Sequence, residues 1–145
     1  MRDFEYRAPQ TLEEAVGLLA GNGREALPLA GGTDLIPQMD EGRKRPRLLI
    51  DLKKIPELTR LTFDERRGLR IGAAVPCSQV SEFPPVRERY PMLASACSLI
   101  GSVQIQNRAS MGGNLCNAAP SADLAPPLIC LRAEAVIVGP NGRRP

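Results

Sequence analysis

The sequence ASMGGNLCNAAPSAD, residues 109–123, decides how this chain is organised. Two adjacent glycines, Gly112 and Gly113, lie among small polar residues, and an apolar run at residues 124–131 follows them. Because glycine has no side chain and adopts positive φ easily, we expect a loop whose backbone approaches a ligand closely. The apolar run indicates a helix after this loop, and the unpaired N–H groups of a helix start attract anions. We call residues 109–123 the second glycine segment.

A shorter glycine-rich stretch, LAGGTDL at residues 29–35, lies far upstream and is called the first glycine segment. It stands between a predicted strand and a predicted short helix at residues 35–39, an arrangement that presents N–H groups to a phosphate. It matches neither the Walker A pattern nor GxGxxG, and taken alone it is also typical of an ordinary strand-to-helix turn. Two such segments in one small chain favour a ligand with several polar parts, such as a dinucleotide.

The composition excludes several classes of chemistry. The 145-residue chain contains no histidine, which excludes Ser-His-Asp and Cys-His catalysis and histidine-ligated metals. Its four cysteines form no CxxC pair, so we expect reduced thiols and neither a zinc site nor an iron–sulfur cluster in this chain. Only 3% of the residues are aromatic, which argues against stacking platforms for single-stranded nucleic acid.

The charge pattern and hydropathy indicate a cytoplasmic globular domain. The net charge is +3, and the basic clusters at residues 43–47 and 66–70 are short, so a solvated face is favoured over a partner-docking patch. No apolar run approaches the roughly 20 residues of a membrane span. The N-terminus also lacks the apolar region of a secretory signal.

The first part of the chain predicts short strands and one clear helix. Phe4 and Tyr6 alternate with charged residues, as in a short strand. Thr11 and Glu14 form a capping-box pattern before a helix that the glycines of residues 21–23 end. Further strands and one hairpin are predicted at residues 27–30, 47–52, 61–63 and 69–75.

The remaining sequence predicts mainly short helices, at residues 77–83, 91–100 and 125–131. The pair Pro84-Pro85 predicts a break, and residues 104–108 predict a polar connector. A strand at 134–138 precedes the turn sequence PNGRRP, after which we expect no second strand, so the chain is predicted to be a truncated fragment. Short helices mixed with short strands, without regular crossover helices, favour an α+β fold over a doubly wound sheet.

Three motifs together resemble one family. They are FxYxxPxTLxEAV at residues 4–16, AGGTDL at 30–35 and NRASMGGNLCNAAPSADLAP at 107–126. This pattern resembles the N-terminal FAD-binding part of the medium, flavoprotein subunit of molybdenum hydroxylases, the relatives of carbon monoxide dehydrogenase and xanthine dehydrogenase. The resemblance implies two small α+β subdomains that hold FAD between them, here at residues 1–55 and 56–145, with a C-terminal domain missing.

The resemblance also implies which residues bind FAD. The first glycine segment would wrap the FAD pyrophosphate, and the second would lie along the cofactor. Asp123 would accept a hydrogen bond from a ribose or ribityl hydroxyl, and helix capping is the alternative role. The small neighbours of Cys116 predict a packed thiol. The expected cofactor-binding residues are Leu29, Ala30, Gly31, Gly32, Thr33, Asp34, Leu35, Ile100, Gly101, Ser110, Met111, Gly112, Gly113, Asn114, Asn117 and Asp123. If the glycines serve close approach of the backbone, valine at Gly32 or Gly113 would abolish binding.

The implied role is that of an oxidoreductase subunit that transfers electrons, with no catalytic side chain and no metal site in this chain. In the family, a large molybdopterin subunit oxidises the substrate, and two [2Fe-2S] clusters on a small subunit pass electrons to non-covalent FAD and then to an external acceptor. These two subunits are the expected partners. Two alternatives stay open: another non-covalent FAD-dependent oxidoreductase of the same fold, and a nucleotide-binding domain without redox activity.

Overall fold

The computed structural model describes residues 3–145, which begin with a three-stranded parallel sheet. Strands β1 (Glu5–Arg7) and β2 (Ala26–Leu29) flank β3 (Leu48–Asp51). All four residues of β3 are buried, because this strand lies at the centre of the sheet with neighbours on both edges. The register places Asp51, the last residue of β3, opposite Leu29, where the first glycine segment begins.

Helix α1 (Leu12–Asn22) connects β1 to β2 and confirms the predicted helix. The Thr11 hydroxyl accepts a hydrogen bond from the Glu14 amide at 3.2 Å, and the Glu14 carboxylate accepts one from the Gln10 amide at 3.2 Å. The second bond goes one residue earlier than in the usual capping box. Gly23 ends the helix with a φ of +52°, which explains why a glycine stands there.

The remaining elements confirm the expected mixture of short helices and short strands. Helix α2 (Leu35–Asp40) links β2 to β3, and the hairpin β4 (Leu61–Asp64) with β5 (Gly68–Ile71) is antiparallel. The other helices are α3 (Pro56–Thr59), α4 (Cys77–Glu82), α5 (Pro84–Arg89), α6 (Pro91–Leu99), α7 (Val103–Gln106), α8 (Met111–Asn117) and α9 (Ala125–Cys130).

Three local predictions were wrong. Pro84 and Pro85 begin α5 instead of breaking the chain, since proline is tolerated in the first turn of a helix. The predicted polar connector contains the single helical turn of α7. A second strand does follow the last turn: β6 (Ile137–Gly139) pairs with β7 (Gly142–Arg144), and Gly142 supplies the turn with a φ of +98°.

Two clusters of buried apolar side chains form the interior. The first core lies between α1 and the parallel sheet and comprises Leu12, Ala15, Ala26, Leu48, Ile50 and Ile55. The second core comprises Val75, Cys77, Val80, Val86, Leu93, Ala96, Cys97, Ile100, Ala109, Met111 and Leu124. Leu58 and Val138 pack against the first core. The C-terminal hairpin, which contains Val138, therefore contacts the N-terminal part of the chain.

The thiols of Cys77 and Cys97 are fully buried in the second core and hydrogen-bond to each other. That hydrogen bond and burial both raise the pKa of Cys97 far above its ordinary value, so this thiol stays neutral. Cys77 is likewise a packed residue of the interior. In residues 3–145, no helix is both long and apolar enough to cross a bilayer.

Candidate functional site

The two glycine segments touch each other through their backbones. A methyl group added to Gly31 would lie 1.8 Å from the Arg108 carbonyl oxygen and 3.1 Å from the Ala109 Cα. No side chain fits in that space, so glycine at position 31 lets the first segment lie directly against the start of the second. Residues far apart in the sequence thereby become one site.

The second segment is also held against the chain that follows β5. The Gly112 amide donates to the Ala73 carbonyl at 3.0 Å, and a methyl group on Gly112 would lie 2.6 Å from the Ala73 Cβ. Ser110 pairs with Pro76 in an isolated antiparallel bridge, and the Cys77 amide donates to the Ala109 carbonyl at 2.8 Å. These contacts fix the position of the second segment relative to the second core.

The prediction that Gly112 and Gly113 belong to a loop was wrong. Both lie in the first turn of α8, and neither has a positive φ. Ser110 is the N-cap of this helix, and its hydroxyl accepts a hydrogen bond from the Gly113 amide at 3.2 Å. Neither glycine is needed for an unusual dihedral angle, and Gly112 is needed because a side chain there would strike Ala73. Among the glycines of the two segments, only Gly32 has a positive φ, at +80°, as expected of a glycine loop.

The first segment leaves backbone donors without protein partners. The Ile36 amide donates to the Gly32 carbonyl at 2.9 Å, and Asp34 precedes α2 without capping it through its side chain. Within residues 3–145, the amides of Gly32, Thr33 and Leu35 donate no hydrogen bond. Gly32, Thr33 and Leu35 all line a cleft, so their unpaired amides are candidate donors for an acceptor bound there.

This cleft runs between the two glycine segments and has a volume of about 550 Å³. Most of the predicted cofactor-binding residues line it: Leu29, Ala30, Gly31, Gly32, Thr33, Asp34, Leu35, Ile100, Ser110, Gly112, Gly113, Asn114, Asn117 and Asp123. The other two predicted residues do not line it. Met111 is buried in the second core, and Gly101 takes a φ of +49° beside Ile105.

Twelve further residues line the cleft that were not among the predicted cofactor-binding residues. Ala109, Cys116, Ala119, Ser121 and Ala122 lie within the second glycine segment, whereas sequence reasoning missed Leu27, Pro28, Gln38, Lys44, Leu52, Ala73 and Ile105, which lie outside both segments. Gln38 joins the two segments, because its amide group donates to the Asn117 side-chain oxygen at 3.1 Å. Gln38 lies one helical turn after Asp34, a spacing that could have identified it. Cys116 is exposed and lines the cleft, so the prediction of a packed thiol was wrong.

The cleft contains few charged side chains and one buried acceptor that lacks a hydrogen-bond donor in the part of the chain that the structure describes. Among the described residues that line it, Lys44 is the only cation, and Asp34 and Asp123 are the acids. The side-chain oxygen of Asn114 is buried and has no partner within residues 3–145. A buried acceptor without a donor costs free energy, so this atom indicates a ligand that donates a hydrogen bond.

Behind the first segment, a buried carboxylate organises a second polar cluster. Asp51 accepts hydrogen bonds from the Tyr6 hydroxyl and from the Lys53 amide, the latter at 3.0 Å. The Lys53 ammonium lies 2.6 Å from the same carboxylate and donates to the Ala30 carbonyl at 2.9 Å. Burial acts to raise the pKa of Asp51, but the hydrogen bonds from Lys53 and Tyr6 outweigh it and leave this pKa below its usual value.

We predict that acid destabilises the protein through Asp51. A carboxyl whose pKa is lower in the folded chain stabilises the fold above its unfolded pKa, and this stabilisation is lost as the pH falls below about 3.8 toward the folded value. Urea unfolding measured from pH 6 to pH 2 (about the range where carboxylates titrate) should show this loss. The Asp51→Asn variant should show a shallower loss, and an unchanged acid slope would contradict the assignment.

Comparison with known proteins gives a consistent result. Residues 2–145 match the family model described as "FAD binding domain in molybdopterin dehydrogenase". The chain is 40% identical over 141 residues to the carbon monoxide dehydrogenase medium chain of Hydrogenophaga pseudoflava, covering 97% of this chain and 49% of that protein. It is also 40% identical over 145 residues to the xanthine dehydrogenase FAD-binding subunit of Escherichia coli O157:H7, and the match covers 99% of this chain and 49% of that protein.

A solved structure has the same fold. The structure of reconstituted carbon monoxide dehydrogenase from Oligotropha carboxidovorans superposes with a TM-score of 0.93 at 31% identity, covering 99% of this chain and 50% of that one. The chain spans about half the length of the curated relatives that it matches.

Proposed function

Because the chain belongs to the family of FAD-binding domains in molybdopterin dehydrogenases, we propose that its cleft binds FAD without a covalent bond. We propose further that it is the electron-transfer subunit of a molybdenum-containing dehydrogenase. The observation that carries the proposal is the contact of Gly31 with the Arg108 backbone, since it joins both glycine segments around one cleft.

The chemistry of the cleft fits this cofactor. A cleft of about 550 Å³ lies in the size range of cofactor sites, roughly 300–1,000 Å³. Pyrophosphate needs hydrogen-bond donors, and the free amides of Gly32, Thr33 and Leu35 supply them. Ribityl and ribose groups donate through their hydroxyls, which suits the unpartnered oxygen of Asn114 and the carboxylate of Asp123.

The two segments would share the cofactor. We assign the pyrophosphate to the first glycine segment, residues 29–35, and the hydroxyl-bearing part to Ser110, Asn114, Asn117 and Asp123. The backbones of Ile100, Gly112 and Gly113 would form the wall on that side. Met111 and Gly101 would act indirectly, Met111 by anchoring α8 in the second core and Gly101 by turning the chain after α6.

FAD supplies the redox chemistry when it is bound, and the protein positions it and limits access of water. We propose that electrons come from iron–sulfur clusters on a small partner subunit and leave to an external acceptor. A large molybdopterin subunit would carry out the substrate oxidation. The relatives named as medium chains or FAD-binding subunits support this division of labour. Four free cysteines fit a reducing compartment, so we place the protein in the cytoplasm.

We also propose that residues 1–55 and 56–145 are two FAD-binding subdomains. The separate first and second cores support this division, and the cleft lies between them. Residues 1 and 2 lie outside the described part of the chain. Because Val138 packs on the first core, the C-terminal hairpin would belong structurally to the first subdomain although it comes last in the sequence.

A titration of the flavin-free chain with FAD tests the proposed function. We expect saturable quenching of flavin fluorescence with one FAD per chain, and weaker binding of FMN, which lacks the adenylate half. Absence of FAD binding would contradict the proposal. In cells that produce the whole complex, an affinity-tagged chain should co-purify with iron–sulfur and molybdenum subunits. If the chain bound flavin but no such partners co-purified, the alternative of another non-covalent FAD-dependent oxidoreductase of the same fold would be favoured.

We predict that Lys44 contributes a salt-dependent part of the FAD affinity. It is the cation among the described residues that line the cleft, and FAD carries two phosphate charges. The Lys44→Gln variant should bind FAD about three- to tenfold more weakly at low ionic strength, and the difference should shrink near 1 M salt, where the Debye length is about 3 Å. Arg43→Gln is the matched control, because Arg43 pairs with Glu41 outside the cleft. Equal effects of both variants would contradict a specific role for Lys44.

A further inference from the structure

The cluster of Asp51 and Lys53 touches the first glycine segment at one atom. The Lys53 ammonium, bound to the Asp51 carboxylate at 2.6 Å, also donates to the Ala30 carbonyl at 2.9 Å. Ala30 lines the cleft, whereas Lys53 does not. The ammonium therefore approaches the segment from behind and holds one carbonyl oxygen of its backbone.

The carbonyl held by Lys53 determines where the next amide points. In a planar trans peptide, the C=O and the following N–H point in opposite directions. No cis peptide bond occurs in residues 3–145. With the Ala30 oxygen fixed toward Lys53, the Gly31 N–H points away from Lys53, toward the side where the cleft lies. A flipped peptide would instead direct a carbonyl oxygen at that side and repel a phosphate.

Two adjacent glycines make this constraint necessary. Gly31 and Gly32 have no side chains to limit rotation of their peptides, and Gly32 already takes a φ of +80°. The Lys53 ammonium is itself held in place, because the Asp51 side chain is only 8% exposed and also accepts a hydrogen bond from the Lys53 amide. Asp51 in turn lies opposite Leu29 in the sheet, which fixes its distance from the segment.

We propose that Lys53 is a positioning residue of the FAD site: together with Asp51 it holds the Ala30 carbonyl away from the cleft, so that the Gly31 amide faces the cofactor phosphate. This inference rests on the proposed function. Lys53 acts here through the backbone and not as a free charge, because Asp51 neutralises it. Lys44 and Lys53 therefore have different roles, one facing the cleft and the other behind it.

The test compares FAD affinity with the thermal stability of the flavin-free protein in a set of variants. Lys53→Met should raise the Kd for FAD by about tenfold, since an oriented charge-assisted hydrogen bond is lost. Lys53→Arg keeps a donor and a positive charge and should restore most of the affinity. Lys54→Met is the matched control, because Lys54 is the exposed neighbour in the same helical turn and should leave the Kd unchanged.

The double variant Asp51→Asn/Lys53→Met separates positioning from stability. Lys53→Met alone leaves a buried carboxylate without its cation and should lower the melting temperature, whereas the double variant removes that charge and should recover much of it. We expect the Kd of the double variant to stay raised. Recovery of the Kd together with the melting temperature, or wild-type affinity in Lys53→Met, would overturn the inference. Failure of the wild-type chain to bind FAD in the same titration would overturn the proposed function and this inference with it.

Discussion

Replacing Gly31 with alanine should abolish FAD binding and destabilise the protein by about 3 kcal/mol or more, the upper range for overpacking a tight contact. The added methyl group would lie 1.8 Å from the Arg108 carbonyl oxygen and 2.6 Å from its carbon. Both atoms belong to the backbone, so a change of rotamer cannot make room. The two glycine segments would have to separate, and the cleft between them would lose its geometry.

The matched control for this variant is Gly17→Ala. Gly17 lies within α1, and a methyl group added there would meet no atom within 4 Å. Alanine should stabilise the helix by about 0.5–1 kcal/mol and leave FAD affinity unchanged. Chemical denaturation and FAD titration of both variants provide the measurement. If Gly31→Ala retained wild-type stability and affinity, this would contradict the close contact of Gly31 with the Arg108 backbone.

Replacing Gly112 with alanine should also destabilise the protein, although alanine is the better helix former. Helix propensity alone would favour Gly112→Ala by up to about 1 kcal/mol. The methyl group would, however, lie 2.6 Å from the Ala73 Cβ and 2.7 Å from the Ala73 carbonyl oxygen. We expect a net loss of about 1–3 kcal/mol in stability and weaker FAD binding, because α8 must move away from residue 73.

A second substitution tests the cause of that loss. Ala73→Gly removes the Cβ that the new methyl group would strike but keeps the backbone oxygen, so it should restore part of the stability of Gly112→Ala. Gly139→Ala serves as the control, since a methyl group at Gly139 meets no atom within 4 Å. A Gly112→Ala variant that is more stable than wild type would show that propensity outweighs the contact and would contradict this packing.

The structure changes which glycines we expect to matter most. Sequence reasoning selected Gly32 and Gly113 for close approach to a ligand. An added methyl group would meet the Leu29 side chain at 3.0 Å in the first case and the Ser110 hydroxyl at 3.0 Å in the second. Side chains of this kind can shift, whereas the backbones next to Gly31 and Gly112 cannot. Substitution of Gly32 should still destabilise the protein, because its φ of +80° is unfavourable for a residue with a side chain.

Local signals predicted the elements that local interactions determine. The cap of Thr11 and the stop at Gly23 bound α1 as expected, because both act within one turn of the helix. The errors occurred where the same residue types permit two outcomes. The pair Pro84-Pro85 can break a chain or begin a helix, and the last glycine turn can end a chain or open a second strand.

The site could be predicted in part for the same reason. Both glycine segments are visible in the sequence, and their resemblance to one family placed them on one cofactor. Lys44 and Lys53 carry no such signal, because only the fold brings Lys44 to the cleft and Lys53 to the Ala30 carbonyl. Lys53 lies two residues after Asp51, and only the register of β2 with β3 reveals that Asp51 stands beside Leu29. Tertiary contacts of this kind are not encoded in local periodicity.

In the proposed site, both glycine segments hold one FAD molecule. Amide hydrogen exchange, measured with and without saturating FAD, shows whether each segment contacts the cofactor. We predict slower exchange on FAD binding in peptides that cover residues 29–35 and in those that cover residues 109–123, with no change in the β4–β5 hairpin. Protection of only one segment, or of neither, in a sample that has bound FAD would contradict the proposed site.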